Sequence, residues 1–166
     1  MDAIISPDVD RILLATDFSQ WTTKAVEFSI KFAECFDAEI LMVHGIEPIA
    51  DAAVDEEDED GNFDEFFGDL VERSRQRLEE LVTVAEERGV TARFHIEIGE
   101  RWRIILEHAE EEDVDLIVLG RRSFEMDKDV PLGTTSQQVY FRSRRPVFTV
   151  PSDESSNNPT TETPET

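Results

Sequence analysis

The residues best suited to do chemistry lie between Gly120 and Ser136. The stretch reads Gly-Arg-Arg-Ser-Phe-Glu-Met-Asp-Lys-Asp-Val-Pro-Leu-Gly-Thr-Thr-Ser. Gly120 permits a tight turn directly after an apolar run. Gly133, Thr134, Thr135 and Ser136 open a helical segment, and a helix N-terminus offers unpaired N–H groups and the positive end of a dipole to an anion. Three adjacent hydroxyls add donors. An ordinary capped loop has the same local pattern, so charge must separate the two readings. From Gly120 to Val150 the basic residues are Arg121, Arg122, Lys128, Arg142, Arg144 and Arg145, and the acidic ones only Glu125, Asp127 and Asp129. A basic segment in a chain of net charge −23 points to an anion or an acidic partner. Arg142, Arg144 and Arg145 also complement the C-terminal end of their helix; Arg121, Arg122 and Lys128 have no such structural duty.

The elements that must position this stretch follow from hydrophobic patterning. Residues 11–16 and 39–44 and the run Asp115–Leu119 are short and apolar, as strands buried on both faces are. Residues 90–98 alternate, with Val90, Ala92, Phe94, Ile96 and Ile98 on one face, which suits an edge strand with one wet side and makes His95 a surface residue rather than a ligand. Pro146 to Val150 makes a last strand, and Gly120 is expected to end the one before it. Helical spacing predicts helices from Ser19, as N-cap, to about Phe36, from near Phe63 to Gly89, from Trp102 to Glu111, and from Leu132 to Arg142. Ala25, Phe28, Phe32, Ala33 and Phe36 should form the buried stripe of the first helix. Cys35 is read onto an apolar helix face as a buried, inert thiol.

Strands and helices thus alternate, β-α-β-α-β-α-β-α-β. Doubly apolar strands and right-handed crossovers imply an α/β fold, a three-layer sandwich around a parallel sheet. In such sheets ligands bind beyond the carboxyl ends of the strands, where strand order reverses. Three strand ends qualify on this reading: Thr16–Asp17, His44–Gly45 and Gly120 onward.

Bulk composition bounds the rest. The 166 residues suit a single domain spanning 1–151. Glu47 to Glu65 holds ten acidic residues and no basic one, an acidic loop over about 47–62 whose spacing does not fit a calcium-binding loop. Residues 152–166 are Ser/Thr/Pro/Glu/Asn-rich and read as a disordered tail. The charge argues against nonspecific binding to nucleic acid or to an anionic membrane surface. Acidic excess with only three lysines, Lys24, Lys31 and Lys128, suits a salt-rich cytoplasm. No signal peptide or spanning apolar run is visible, so a cytoplasmic location is expected. His44, His95 and His108 are scattered over three elements, and no catalytic triad or metal cluster stands out.

At this point the residues carry a family resemblance. The signature of the universal stress protein family is Gly-x-x-Gly, nine residues, then Gly-Ser/Thr. This chain has Gly120, Ser123 in place of the second glycine, nine intervening residues, then Gly133-Thr134. Ile-Leu-Leu-Ala-Thr-Asp-Phe-Ser at 12–19, Asp-Leu-Ile-Val-Leu-Gly at 115–120 and Arg-Pro-Val-Phe-Thr-Val-Pro at 145–151 resemble the family in the same order. The resemblance implies a five-stranded parallel sheet of order 3-2-1-4-5, Rossmann-like in the adenine nucleotide alpha hydrolase-like manner, and homodimers pairing through the last strand. It implies ATP, AMP or ADP as ligand, with Mg²⁺ when ATP binds. Thr16 and Asp17 would lie near base and ribose. Gly120, Arg122, Ser123, Gly133, Thr134, Thr135 and Ser136 would hold ribose and phosphates. Gly45 falls where members place an apolar side chain beside the adenine.

Three functions follow as expectations. The first is a nucleotide-binding stress-response regulator that hydrolyses ATP slowly at most, with Asp17 orienting a ribose hydroxyl or a metal-bound water. The second is a nucleotide-free dimeric interaction module, favoured by Ser123, Gly45 and the acidic loop. The third, an adenylate-forming enzyme, lacks the phosphate motifs that chemistry needs.

Overall fold

The computed structural model describes residues 8–48, 62–121 and 133–152. The strands are β1 (Arg11–Ala15), β2 (Glu39–Ile46), β3 (Ala92–Ile98), β4 (Leu116–Arg121) and β5 (Val147–Pro151). The helices are α1 (Thr23–Phe36), α2 (Asn62–Glu87), α3 (Arg101–Glu111) and α4 (Thr134–Arg142). All strand pairs are parallel, in the order β3-β2-β1-β4-β5. The expected architecture and order are both present.

The middles of the central strands, Ile12–Ala15, Ile40–Val43 and Leu116–Leu119, are continuously apolar because both of their faces are covered. Ile12, Leu14, Ile40, Met42 and Val118 pack with Ala25, Ile30 and Ala33 of α1 and Leu78 and Ala85 of α2. Leu13, Ala15, Leu41, Val43, Ile117 and Leu119 face Ile104, Ile105 and Ala109 of α3 and Val139 of α4. Alternation along each strand feeds two separate cores. Asp115 ties the sheet at its N-terminal side, its Oδ2 accepting from the N–H groups of Asp10 and Arg11 at 2.9 Å each. Gly89, at φ 79°, provides the left-handed residue that ends the turn after α2.

Four expectations are corrected. The α1 helix starts at Thr23, not at Ser19. Residues 16–22 are committed to a hydrogen-bonded turn instead, in which Phe18 sits at φ 59° and the N–H of Thr22 donates to the Ser19 carbonyl at 3.0 Å. The buried stripe of α1 is Ala25, Ser29, Ile30 and Ala33. Phe28 and Phe36 are exposed, and with Phe32 they form an aromatic row along a neighbouring face, Phe28 and Phe32 contacting Phe148 of β5. Cys35 is exposed, because it lies two residues, or about 200° of helical turn, beyond Ala33. Gly120 does not end β4: the ladder continues one residue further, with Gly120 opposite Val150 and Arg121 opposite Pro151. The alternating segment is the edge strand expected; its inner face packs on the core through Ala92, Phe94 and Ile96, while Ile98 at its end is exposed. The acidic loop, apart from its first two and last residues, and the tail beyond Ser152 lie outside the described residues.

Candidate functional site

Strand order reverses between β1 and β4, since the chain leaves β1 over one face of the sheet and enters β4 from the other. A cleft opens there at the carboxyl ends. Its inner lobe, open to solvent, spans about 450 Å³. The floor of this lobe is apolar, made by Ala15, Val43, Ile105 and Leu119, with Thr16, Asp17, Gly45 and Arg101 around it. Gly120, Thr135 and Ser136 line both this lobe and an outer one of about 1200 Å³. The outer lobe extends to Gly133, Thr134, Arg121, Ser19 and Trp21.

The β1–α1 turn is held from several sides. Thr16 is buried, and its Oγ1 accepts from the Phe18 N–H at 3.1 Å and lies 3.2 Å from Thr22 Oγ1. The Thr22 hydroxyl donates in turn to the Ser19 carbonyl at 2.9 Å. Asp17 is exposed and lines the cleft, and its Oδ1 accepts from the Ser19 N–H at 3.0 Å. From β2, the His44 Nδ1–H donates to the Thr16 carbonyl at 2.8 Å, and its ring lies 4.4 Å from that of Phe18. Burial pushes the His44 pKa below its ordinary value, against the opposing pull of that hydrogen bond, so the ring is held neutral. Ser19 Oγ is buried and has no partner among the described residues.

Gly120 is required by close approach. A Cβ there would fall 2.4 Å from the Trp21 carbonyl oxygen, so β4 and the turn touch backbone to backbone. On the far side, α4 begins at Thr134 with Gly133 as an extended N-cap and no side-chain cap bond. Its first turn carries no acidic residue, and the N-terminal N–H groups are uncapped at the mouth of the cleft. Ser136 Oγ donates to the Gly120 carbonyl at 3.4 Å and joins α4 to β4.

Eight of the ten site residues read from the sequence therefore line one cleft: Thr16, Asp17, Gly45, Gly120, Gly133, Thr134, Thr135 and Ser136. Arg122 and Ser123 lie outside the described residues. Thr16 lines the wall, but its hydroxyl is spent on holding the turn. Sequence reasoning missed Arg101, which borders both lobes, and the turn residues Ser19 and Trp21. The signal for Arg101 was available, because it follows Gly99 at the carboxyl end of β3 by two residues. That strand end was passed over because β3 read as a wet edge. Among the described residues no group of three or more His, Cys, Asp or Glu side chains is placed to hold a metal ion, and no helix is long and apolar enough to cross a membrane.

A parallel sheet of this order with a cleft at its switch point is shared with solved structures of the adenine nucleotide alpha hydrolase-like fold, which is the fold of this chain. The sequence pattern of the universal stress protein family matches residues 8–151. The universal stress protein YxiE of Bacillus subtilis is 30% identical over 149 residues, covering 85% of this chain and 98% of its own. This chain thus belongs to the universal stress protein family. The solved structure of MJ0577, from Methanocaldococcus jannaschii, superposes with a TM-score of 0.75 at 25% identity, covering 90% of this chain and 100% of that one. A universal stress protein from Archaeoglobus fulgidus, solved in complex with dAMP, shares the fold with a TM-score of 0.59 at 19% identity, covering 86% and 98% of the two chains.

Proposed function

We propose that this chain is a cytoplasmic stress-response regulator that binds an adenine nucleotide in the cleft, AMP or ADP alone or ATP with Mg²⁺. The observation that carries the reading is the uncapped N-terminus of α4 opening beside a pocket with an apolar floor. The two ends of the cleft match the two ends of a nucleotide. Backbone N–H groups and the hydroxyls of Thr134 and Thr135 receive phosphates, and the floor receives the base. Asp17 stands between them, suited to a ribose hydroxyl. Among the described residues the cleft fits the group: Gly133 is extended at φ −62° and a Cβ there would meet nothing within 4 Å, which leaves room beside the helix N-terminus. Mg²⁺ would be held chiefly by phosphate oxygens, as it is where proteins offer one or two carboxylates, with Asp17 the carboxylate among the described residues that line the cleft. The dAMP complex of the Archaeoglobus fulgidus relative supports a nucleotide on this fold. Hydrolysis is slow at most in this reading.

The protein also pairs with a second copy through β5. That strand lies at one end of the sheet and exposes Phe148 along its length, with Phe141 of α4 exposed close by in sequence. The same features would serve a nucleotide-free interaction module, and one experiment separates the two. Protein purified in molar salt is denatured and the released small molecules are identified by mass spectrometry, and the emptied protein is titrated with ATP and Mg²⁺. An adenine nucleotide released, or a saturable titration that Gly133→Val abolishes without changing the melting temperature, is expected. Neither released nucleotide nor a titration signal would leave the interaction module standing alone.

A further inference from the structure

Gly45 has no side chain, yet its place beside the cleft floor is not empty. A Cβ on it would lie 3.1 Å from Arg101 Cγ and 3.2 Å from Arg101 Cα. Ile104 Cδ1 would be 3.2 Å away as well, so the stem of Arg101, together with Ile104, closes in on the space a side chain at 45 would take. The guanidinium is anchored on one side only. Its Nε–H donates to the Gly45 carbonyl at 3.3 Å, and Nε lies 3.8 Å from Glu47 Oε2. No hydrogen bond among the described residues engages its two terminal nitrogens, and the residue borders both lobes of the cleft.

The location is electrostatically awkward. Arg101 is the first residue of α3, where the positive end of the helix dipole disfavours a cation. It is one of 16 basic residues against 39 acidic ones, so a cation set in an unfavourable place asks for a reason outside the fold. An arginine there offers what an apolar side chain at 45 could not: a flat, weakly hydrated cation able to stack on an aromatic ring.

We infer that Arg101 is the base-holding residue of the cleft, its stem replacing the side chain absent at 45 and its guanidinium stacking on the purine of a bound nucleotide. The inference rests on the nucleotide reading above. With phosphates at the α4 N-terminus, the base lies over Ala15, Val43 and Leu119, and Arg101 is the cation among the described residues lining that lobe.

The test compares AMP with ribose 5-phosphate, which keeps the phosphate and lacks the base. Both are titrated at one fixed salt concentration into wild type, Arg101→Ala and Arg101→Lys, by calorimetry for AMP and by NMR at high ligand concentration for the sugar phosphate. Melting curves accompany each variant, and Lys keeps the stem beside Gly45 should Ala disturb the fold. The affinity for AMP should fall roughly fivefold to thirtyfold in Arg101→Ala. Arg101→Lys should lose nearly as much, because an ammonium has no plane to stack. Ribose 5-phosphate should respond equally to all three proteins. Equal loss for both ligands in Arg101→Ala would make Arg101 a phosphate contact and overturn the inference, as would unchanged AMP affinity in either variant. A wild type that binds neither ligand overturns the nucleotide reading itself, and this inference with it.

Discussion

The substitution Gly120→Ala tests the cleft's construction with a single methyl group. The added Cβ would lie 2.4 Å from the Trp21 carbonyl oxygen, 2.9 Å from Thr22 Cα and 3.0 Å from the Trp21 carbonyl carbon. Ordinary C···O contacts begin near ~3.3 Å, so the turn and the strand must separate by about 1 Å. All three neighbours are backbone atoms, and no side chain can rotate aside. The turn cannot slide freely either, because the Thr22 hydroxyl is bonded to the Ser19 carbonyl and packed on Thr16 Oγ1. Overpacking of this kind costs about 1–3 kcal/mol, and rigid backbone on both sides puts this case near the top, about 3 kcal/mol. At this chain length that is a fall of roughly 6–12 °C in Tm. Gly68→Ala is the matched control: that glycine is in α2, a Cβ added there would meet nothing within 4 Å, and the change should add about 0.5–1 kcal/mol. Thermal melts by circular dichroism at one salt concentration read both. A Gly120→Ala protein melting within about 2 °C of wild type would refute the claim that β4 and the turn form one rigid wall.

Three further outcomes are expected. His44 is held neutral by burial, so its folded-state pKa lies below its unfolded one; stability is complete above the unfolded value and falls as the pH drops from there toward the folded value. The melting temperature of His44→Gln, followed from about pH 7.5 to pH 5, should therefore converge on wild type at the acid end; a constant gap would refute the role of the ring. A net charge of −23 repels itself at low ionic strength, so Tm should rise by several degrees between about 0.1 M and about 3 M KCl, and a flat profile would remove the case for salt adaptation. In β5 the Pro146 carbonyl accepts from Ile117 and the Ser152 N–H donates to Arg121, so by alternation the Thr149 N–H points to the free edge. Thr149→Pro should keep the β4–β5 ladder and move size-exclusion elution to the monomer volume, and an unchanged elution volume would place the dimer contact elsewhere.

The fold was legible because its signals are local. Residues such as Leu13 and Leu14, apolar with no alternation, announce a strand covered on both faces, and the helical spacing of α2 is unambiguous from Leu70 onward. The errors arose where tertiary contacts override a local rule. Ser19 has the chemistry of an N-cap, but the chain still has to turn past Gly120, so the helix waits until Thr23. Phe28 looks more buried than Ser29 by residue type, yet Ser29 is the one inside, its hydroxyl donating to the Ala25 carbonyl at 2.8 Å. The glycines and hydroxyls of the cleft could be read because a helix N-terminus after a glycine is a sequence pattern. Arg101 is marked in the sequence only by its place just past the end of β3; the contact that seats it in the cleft is with Gly45, 56 residues away in the chain.

The two ends of the sheet are finished differently. The outer strand β3 carries Arg93, His95 and Glu97, engaged with Glu112, His108 and Glu39 around it. The outer strand β5 is Val-Phe-Thr-Val-Pro, with no charge. A neighbouring copy approaching β3 would have to strip or rearrange ion pairs, whereas one approaching β5 meets backbone and uncharged side chains. Twofold pairing through β5, as proposed, would use up the bare edge of each copy and leave charged edges at both extremities. In the proposed pair the contact is self-limiting: addition stops at two chains, because the strands left free are the charged β3 edges.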